Sequence, residues 1–216
     1  MLRILALCLC LSPAARACET ALLLAIDVSG SIDAGEYALQ VQGLAAALED
    51  AAVAEVLVQG QVALAVVQWS GVGAQALVLP WRRMLSGGDV AGMAADARAL
   101  PRAFAASDTA VGEAVSFAAA QFAAVPDCAR RIIDISGDGP ENAGFTVGRA
   151  RQAAQAAGIT INAIAIEDMG LSAPISAFYR RHVITRDGFV MIARGLGDYP
   201  RAIREKLLRE LAKVTG

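Results

Sequence analysis

Histidine and lysine are scarce in this sequence, and their scarcity limits the catalysis that it can support. Its 216 residues include one histidine, His182, which stands beside Arg181 and far along the chain from any candidate serine. Nucleophilic serine catalysis requires a neighbouring base. We therefore interpret His182 as a structural residue and expect a protein that is not an enzyme.

Basic charge is also in short supply. The chain carries 19 Lys and Arg against 21 Asp and Glu, a formal net charge of −2, and it has no run of basic residues. Proteins that bind nucleic acid usually carry a clear basic patch or stripe. This composition argues against a nucleic-acid partner.

Long apolar runs are absent except for a short one near the start. Arg3 precedes an apolar run at residues 4–11, and Ala15-Arg16-Ala17 forms a small-x-small cleavage site. This pattern predicts a cleaved secretory signal peptide at residues 1–17, followed by a single domain at residues 18–216. A bilayer-spanning helix needs roughly 20 apolar residues, so we expect no transmembrane segment.

Cysteine is limited to four residues, of which Cys8 and Cys10 lie in the predicted signal peptide. Cys18 and Cys128 remain as an even pair, which makes them candidates for a disulfide in an oxidising compartment. We expect a periplasmic or secreted protein. Arg16 is charged where bacterial lipid-attachment sites carry small uncharged residues, so we do not expect a lipid anchor at Cys18.

The rest of the sequence alternates short apolar runs with longer segments of helical spacing. The apolar runs predict strands at residues 21–26, 62–69, 75–79, 132–135, 159–166 and 189–193. The intervening segments predict helices at residues 34–48, 90–100, 110–123, 143–157, 173–181 and 199–214. This order favours an α/β fold: a doubly wound, mostly parallel six-stranded sheet with helices on both faces. Only Ser70–Ala74 separates the second and third runs, which predicts one antiparallel edge strand.

The last predicted helix has an apolar stripe that we expect to cover the sheet. The opposite face is expected to carry the charged residues Arg204, Glu205, Lys206, Arg209 and Glu210.

Oxygen-bearing side chains alternate where the first strand ends. Asp27 follows a buried run, and Ser29 and Ser31 come two and four residues later. In open α/β sheets, ligands bind beyond the carboxyl ends of strands, and an all-oxygen set suits a hard cation. An EF-hand calcium loop is excluded because it requires Gly at its sixth position and Glu at its twelfth. Asp33 and Glu36 have a local role as a predicted helix-capping box.

The segment D-x-S-G-S at Asp27–Ser31 resembles the metal-ion-dependent adhesion site of von Willebrand factor type A (vWA) domains. The family's further metal residues match Thr109, before the helix predicted at residues 110–123, and Asp138, before Gly139. Segments 133–140 and 158–162 are most similar to a family of uncharacterised secreted bacterial vWA-like proteins. The resemblance implies a divalent-cation site, most simply for Mg²⁺ with Mn²⁺ or Ca²⁺ as alternatives. Its ligands would be Asp27, Ser29, Ser31, Thr109 and Asp138.

The resemblance also implies a function and a disulfide. The cation would capture a carboxylate of a protein partner; the alternatives are a purely structural metal and a metal-assisted hydrolase. Because the first and fourth strands are parallel neighbours in this fold, Cys18 and Cys128 are expected to form an intrachain disulfide. Asp134, in the middle of the fourth predicted strand, is expected to have a hydrogen-bonded role, either behind the metal ligands or in the core.

Overall fold

The computed structural model describes residues 18–105, 108–167 and 174–212. The predicted signal peptide at residues 1–17 and the predicted helix ends at Ala173 and Val214 lie outside the described residues.

The described residues form six strands in a single sheet. The strands are β1 (Cys18–Asp27), β2 (Ala63–Trp69), β3 (Gln75–Arg83), β4 (Cys128–Gly137), β5 (Ile159–Glu167) and β6 (Val190–Arg194). Their order in the sheet is β3-β2-β1-β4-β5-β6. All neighbours pair in parallel except β2 and β3, which form the antiparallel edge that the short Ser70–Ala74 connection predicts. The predicted fold class is confirmed.

Seven α-helices cover the sheet within the same described ranges. They are α1 (Ala34–Glu49), α2 (Ala51–Gln59), α3 (Gly87–Arg98), α4 (Val111–Gln121), α5 (Val147–Ala156), α6 (Ile175–Phe178) and α7 (Tyr199–Leu211). The helix α2 was not predicted, and the helix predicted from residue 143 begins only at Val147. A π-helical turn, Tyr179–Val183, continues directly from α6. Among the described residues, no helix combines the length and apolar character needed to cross a bilayer.

The core has two halves because successive side chains of a strand point to opposite faces of the sheet. Leu22 and Leu24 pack on one face with buried residues of α1, α2, α3 and α7. Leu23 and Ala25 pack on the other face with α4, α5 and α6. With both faces covered, the carboxyl ends of the central parallel strands form a rim where polar side chains can collect.

The predicted disulfide joins the amino ends of β1 and β4. Cys18 and Cys128 are direct partners in the strand register, their Cα atoms are 4.5 Å apart, and they are bonded. The bridge links positions separated by 110 residues. The parallel pairing of the first and fourth strands, which implied this bridge, is confirmed.

The charged face expected for the last helix is partly wrong. Lys206 and Glu210 lie in the core, with exposures of 0% and 2%. The Lys206 Nζ lies 2.5 Å from both the Asp134 Oδ1 and the Glu210 Oε1. Asn162 also donates a hydrogen bond to Glu210 Oε1 at 2.7 Å. Asp134 is therefore buried in the core, where it forms an ion pair with Lys206 of α7. The charged residues of that helix were expected only on its solvent side.

Candidate metal centre

Asp27 is the last residue of β1, and its side chain is completely buried. Its Oδ1 accepts a hydrogen bond from the Ser29 backbone N–H at 2.8 Å, whereas its buried Oδ2 has no hydrogen-bond partner among the described residues. Burial above all, together with the nearby charge of Asp138, raises the pKa of Asp27 to about 7. Buried polar atoms are nearly always partnered. The Oδ2 of Asp27 is an exception to this rule.

The two serines of the turn connect Asp27 to a distant part of the chain. The Ser29 and Ser31 hydroxyl oxygens lie 3.1 Å apart. The Ser31 hydroxyl donates a hydrogen bond to Asp138 Oδ1 at 2.8 Å, across 107 residues of sequence. Because β4 continues to Gly137, Asp138 follows the strand directly, as Asp27 ends β1. Contacts therefore bring four of the five predicted residues together.

Gly137 makes this close arrangement possible. A Cβ at this position would lie 3.0 Å from Asp27 Oδ2 and would overlap the Tyr179 hydroxyl. Any larger residue would displace one of these buried groups. The glycine thus lets the end of β4 lie directly against the carboxylate of β1.

Thr109 is placed at the same rim by hydrogen bonds of its backbone. Its N–H donates to Asn142 Oδ1 at 2.7 Å, and its carbonyl accepts from the Asn142 N–H at 3.0 Å. Asn142 lies in the loop that begins with Asp138. Thr109 is buried, with an exposure of 4%. Its link to the other predicted residues runs through Asn142 and the loop that begins with Asp138.

The other side of the Thr109 loop is tied to the end of β2. The Ala110 N–H donates to the Ser70 carbonyl at 2.9 Å, and the Ser70 hydroxyl donates to the Asp108 carbonyl at 3.1 Å. The residue before Ser70, Trp69, accepts a hydrogen bond from the Val28 N–H at 2.9 Å. The Thr109 loop is therefore held between the strand beside Asp27 and the loop that carries Asp138.

Glu141 is a residue at this rim that the sequence interpretation missed. Its two carboxylate oxygens accept hydrogen bonds from the Gly112 N–H at 2.8 Å and from the Val147 N–H at 3.2 Å. These N–H groups belong to the first turns of α4 and α5, neither of which has a side-chain cap of its own. Glu141 thus joins the two helix starts that flank the Thr109 loop. A helix-capping pattern in the sequence could have predicted that Glu141 caps one of these helices, but not that it caps both.

Two further residues at the rim gave no usable signal in the sequence. Arg102 donates hydrogen bonds to the carbonyls of Val28 and Ser29, at 2.9 and 2.7 Å, and so holds the backbone of the turn that follows β1. Tyr179 is fully buried, and its hydroxyl has no hydrogen-bond partner among the described residues. Burial, with the charges of Asp27 and Asp138, raises its pKa well above the ordinary value. Tyr179 therefore stays neutral beside the two acids.

The side chains present fit a hard divalent cation. Among the described residues, no group of three or more His, Cys, Asp and Glu side chains comes together. What comes together is a pair of carboxylates with serine hydroxyls, next to an unpartnered buried carboxylate oxygen. Oxygen donors of this kind suit Mg²⁺, Mn²⁺ or Ca²⁺ better than a thiolate- or imidazole-selecting metal.

The strand order and the mostly parallel, covered sheet are those of a vWA-like fold. A mussel byssus protein, proximal thread matrix protein 1, has a solved structure with a zinc-occupied MIDAS motif. It aligns with a TM-score of 0.68 at 15% identity, over 88% of this chain and 47% of that chain. This chain therefore spans about half the length of the mussel protein. A von Willebrand factor type A protein from Catenulispora acidiphila aligns with a TM-score of 0.63 at 20% identity, over 90% and 43% of the two chains.

BatB from Bacteroides thetaiotaomicron is similar over almost its whole length. It aligns with a TM-score of 0.61 at 16% identity, covering 90% of this chain and 99% of that chain. At these identities the likeness shows the fold alone. Residues 17–215 match the family described as "Protein of unknown function (DUF1194)", and the chain belongs to that family. No curated protein is detectably similar to it.

Proposed function

We propose that this domain binds a partner protein through a divalent cation held by Asp27, Ser29, Ser31, Thr109 and Asp138. The observation that carries the proposal is the buried, unpartnered Oδ2 of Asp27, in a cluster that the Ser31–Asp138 hydrogen bond closes. Leaving a buried carboxylate oxygen without a partner is costly. A cation removes that cost. Mg²⁺ is the expected ion, and Mn²⁺ and Ca²⁺ are the alternatives to compare.

The charge balance of the cluster supports capture of an acidic group. Its two carboxylates together match the charge of one divalent ion, and the three hydroxyls add none. A bound cation would supply a positive charge that attracts a carboxylate of the partner. Arg102 keeps the turn carbonyls in place, and Asn142 keeps Thr109 at the rim. The role proposed for these residues is to hold the oxygen atoms in position before the cation arrives.

Two further observations support binding at this location. The zinc-occupied motif of the mussel protein indicates that this fold can hold a divalent metal at such a motif. His182 is exposed and lies against the Phe178 ring, with ring centroids 5.4 Å apart. We therefore propose binding without bond cleavage. The disulfide, together with the signal peptide proposed at residues 1–17, supports a periplasmic or secreted location.

Calorimetric titration with Mg²⁺ and Mn²⁺ tests the metal site. Asp27→Asn and Ser31→Ala should each weaken cation affinity by at least about tenfold, because each removes an oxygen donor or its charge. Asp33→Ser is the matched control. Asp33 is an acid of the same loop, but its side chain caps α1 through the Glu36 N–H at 2.8 Å. Serine preserves such a cap, so the control should bind the cation normally. Equal affinity in all four proteins would refute the metal site.

Affinity capture from an extract of exported proteins tests the partner. The immobilised domain should retain a protein in Mg²⁺, release it in EDTA, and fail to retain it when Asp27 is replaced by Asn. Capture that persists in EDTA, by a domain that binds the cation, would favour a structural metal. Hydrolysis of phosphate esters by the domain, if it stops when EDTA removes the metal, would favour the metal-assisted hydrolase.

A further inference from the structure

A second polar feature lies away from the metal centre, in a groove between α5 and residues 174–186. Its volume is about 580 Å³, and it is open to solvent along one side. The polar side chains that line it are Arg151, Gln152, Gln155, Arg180, Thr185 and Arg186. No Asp or Glu is among the described residues that line it.

The two segments that form the groove differ in charge from the rest of the chain. Together, α5 and residues 174–186 carry five arginines and no Asp or Glu. The whole chain, in contrast, carries 21 Asp and Glu against 19 Lys and Arg. Because β5 separates the two segments in sequence, neither is a basic run, and only the fold brings their arginines together. The groove is a basic surface on an acidic protein.

The groove arginines form no ion pair with the described acidic residues. Five arginines elsewhere form ion pairs: Arg82, Arg83, Arg98, Arg201 and Arg204. Within the described ranges, none of the groove arginines does. Neutral oxygens orient two of them instead. An Nη of Arg151 donates to the Arg181 carbonyl at 2.9 Å, and an Nη of Arg180 donates to the Ser176 hydroxyl at 3.1 Å. Each guanidinium has five N–H donors, so most of the donors of both remain available for a ligand.

We propose that this groove is a second, metal-independent binding site, which takes an acidic segment of a partner protein through its Asp and Glu carboxylates. Guanidinium groups bind carboxylates through paired hydrogen bonds that fix both position and orientation. The side-chain amides of Gln152 and Gln155 can both donate and accept hydrogen bonds, as a peptide backbone requires. Fixed arginines and flanking amides together suit an extended acidic peptide.

The shape and composition of the groove argue against a lipid surface. Membrane-surface helices combine basic residues with Trp, Phe or Leu side chains that enter the bilayer. The large, exposed apolar residues of the described chain are Leu39, Val72, Leu85 and Phe145, and none lies in these two segments. The groove is also concave, whereas a vesicle surface is locally flat.

The groove is separate from the proposed metal centre. Thr185, in its wall, accepts a hydrogen bond from the Ile161 N–H near the start of β5. The β5 residue level with the metal centre is Ala165, which pairs with Gly137. Four residues of strand separate Ile161 from Ala165, a distance of about 13 Å. The two sites can therefore be tested independently, and this proposal does not depend on the first.

Fluorescence anisotropy with a labelled oligoglutamate peptide, in EDTA, tests the groove. The variant Arg151→Gln, Arg180→Gln, Arg186→Gln should bind the peptide at least about tenfold more weakly than the native domain. The matched control is Arg82→Gln, Arg98→Gln, Arg201→Gln, which removes the same charge from exposed ion pairs of low energetic value. The control should bind within about twofold of the native domain. Arg186→Gln alone serves if the triple variant fails to fold, because no hydrogen bond of the Arg186 side chain would be lost.

Three results would overturn this proposal. Equal weakening in the groove variant and the control would show attraction to net charge alone. Peptide binding that disappears in EDTA would assign the peptide to the metal centre. Cosedimentation with phosphatidylglycerol vesicles, without affinity for the peptide, would assign the groove to a lipid surface.

Discussion

At the scale of single residues, the proposed metal centre is made of groups that are costly to bury without a ligand. Asp27 has a raised pKa because it is desolvated beside Asp138. The Tyr179 hydroxyl, also buried, has no hydrogen-bond partner in the described part of the chain. Such uncompensated polar groups lower the stability of a fold and are characteristic of functional sites. Gly137, at the end of β4, has no side chain, and this determines how closely the members of the cluster can approach one another.

Gly137→Ala should damage the centre directly. The added Cβ would overlap the Tyr179 hydroxyl and lie 3.0 Å from Asp27 Oδ2. Forcing extra atoms into a packed site costs about 1–3 kcal/mol. We expect a loss of that size in the free energy of unfolding, measured by urea denaturation, together with weaker cation binding by calorimetry.

Gly139→Ala is the control for this substitution. Gly139 lies on the other side of Asp138, and a Cβ there would have no atom within 4 Å. It should change the unfolding free energy by less than about 0.5 kcal/mol. If both variants behave alike, the close approach of β4 to Asp27 is not what shapes the site.

At the scale of elements, the packing of α7 depends on a buried cluster of charges. Lys206 is the cation shared by Asp134 of β4 and Glu210 of the same helix. Burial and the neighbouring Glu210 raise the pKa of Asp134 to about 7, although Lys206 opposes that rise. One lysine therefore compensates two carboxylates inside the core.

Lys206→Met should destabilise the domain strongly. Removing one partner of a buried ion pair leaves uncompensated charge and costs about 3–5 kcal/mol. Without Lys206 the pKa of Asp134 rises further, so the folded variant binds more protons than the native domain does. Lowering the pH then stabilises the variant relative to the native domain. The deficit should therefore be larger at about pH 8 than at about pH 5.

Urea denaturation at the two pH values measures this deficit. Arg204→Met is the control on the same helix, since its ion pair with Asp50 is partly exposed and such pairs contribute about 0–1 kcal/mol. A deficit for Lys206→Met that does not change with pH would contradict the role of Lys206 in lowering the pKa of Asp134.

The sequence predicted most elements because their periodicities are strong, and it failed where tertiary contacts decide. The apolar runs identified all six described strands. The helix α2 was missed because it follows α1 after a break at Asp50 alone, a residue that caps the new helix through the Ala52 and Val53 N–H groups. Lys206 and Glu210 were assigned to solvent because helical spacing shows only that they share a face. Their partners Asp134 and Asn162 lie on strands far away in sequence.

At the scale of the whole molecule, the candidate metal residues and the disulfide lie at opposite ends of the same two strands. The carboxyl ends of β1 and β4 carry Asp27 and Asp138, and their amino ends carry the disulfide. The candidate metal residues remain a prediction from the pattern of the turn after β1, and the structure brings Asp27, Ser29, Ser31 and Asp138 together there. Glu141 and the arginine groove could not be predicted, because each depends on segments that only the folded chain brings together.

Removal of the disulfide should lower stability without altering the metal centre. Bridging positions 110 residues apart restricts the unfolded chain, an effect of about 4–5 kcal/mol for a loop of this length. Cys18→Ser, Cys128→Ser should lose free energy of unfolding of that order in urea denaturation. Its cation affinity, measured under conditions where it remains folded, should match that of the native domain, since the bridge lies at the far ends of the same two strands. The native domain treated with dithiothreitol should show the same loss of stability. Unchanged stability in both experiments would contradict a stabilising role of the disulfide, and would mean that the parallel pairing of β1 with β4 already constrains the chain. A fall in cation affinity would show that the two ends of the sheet are coupled.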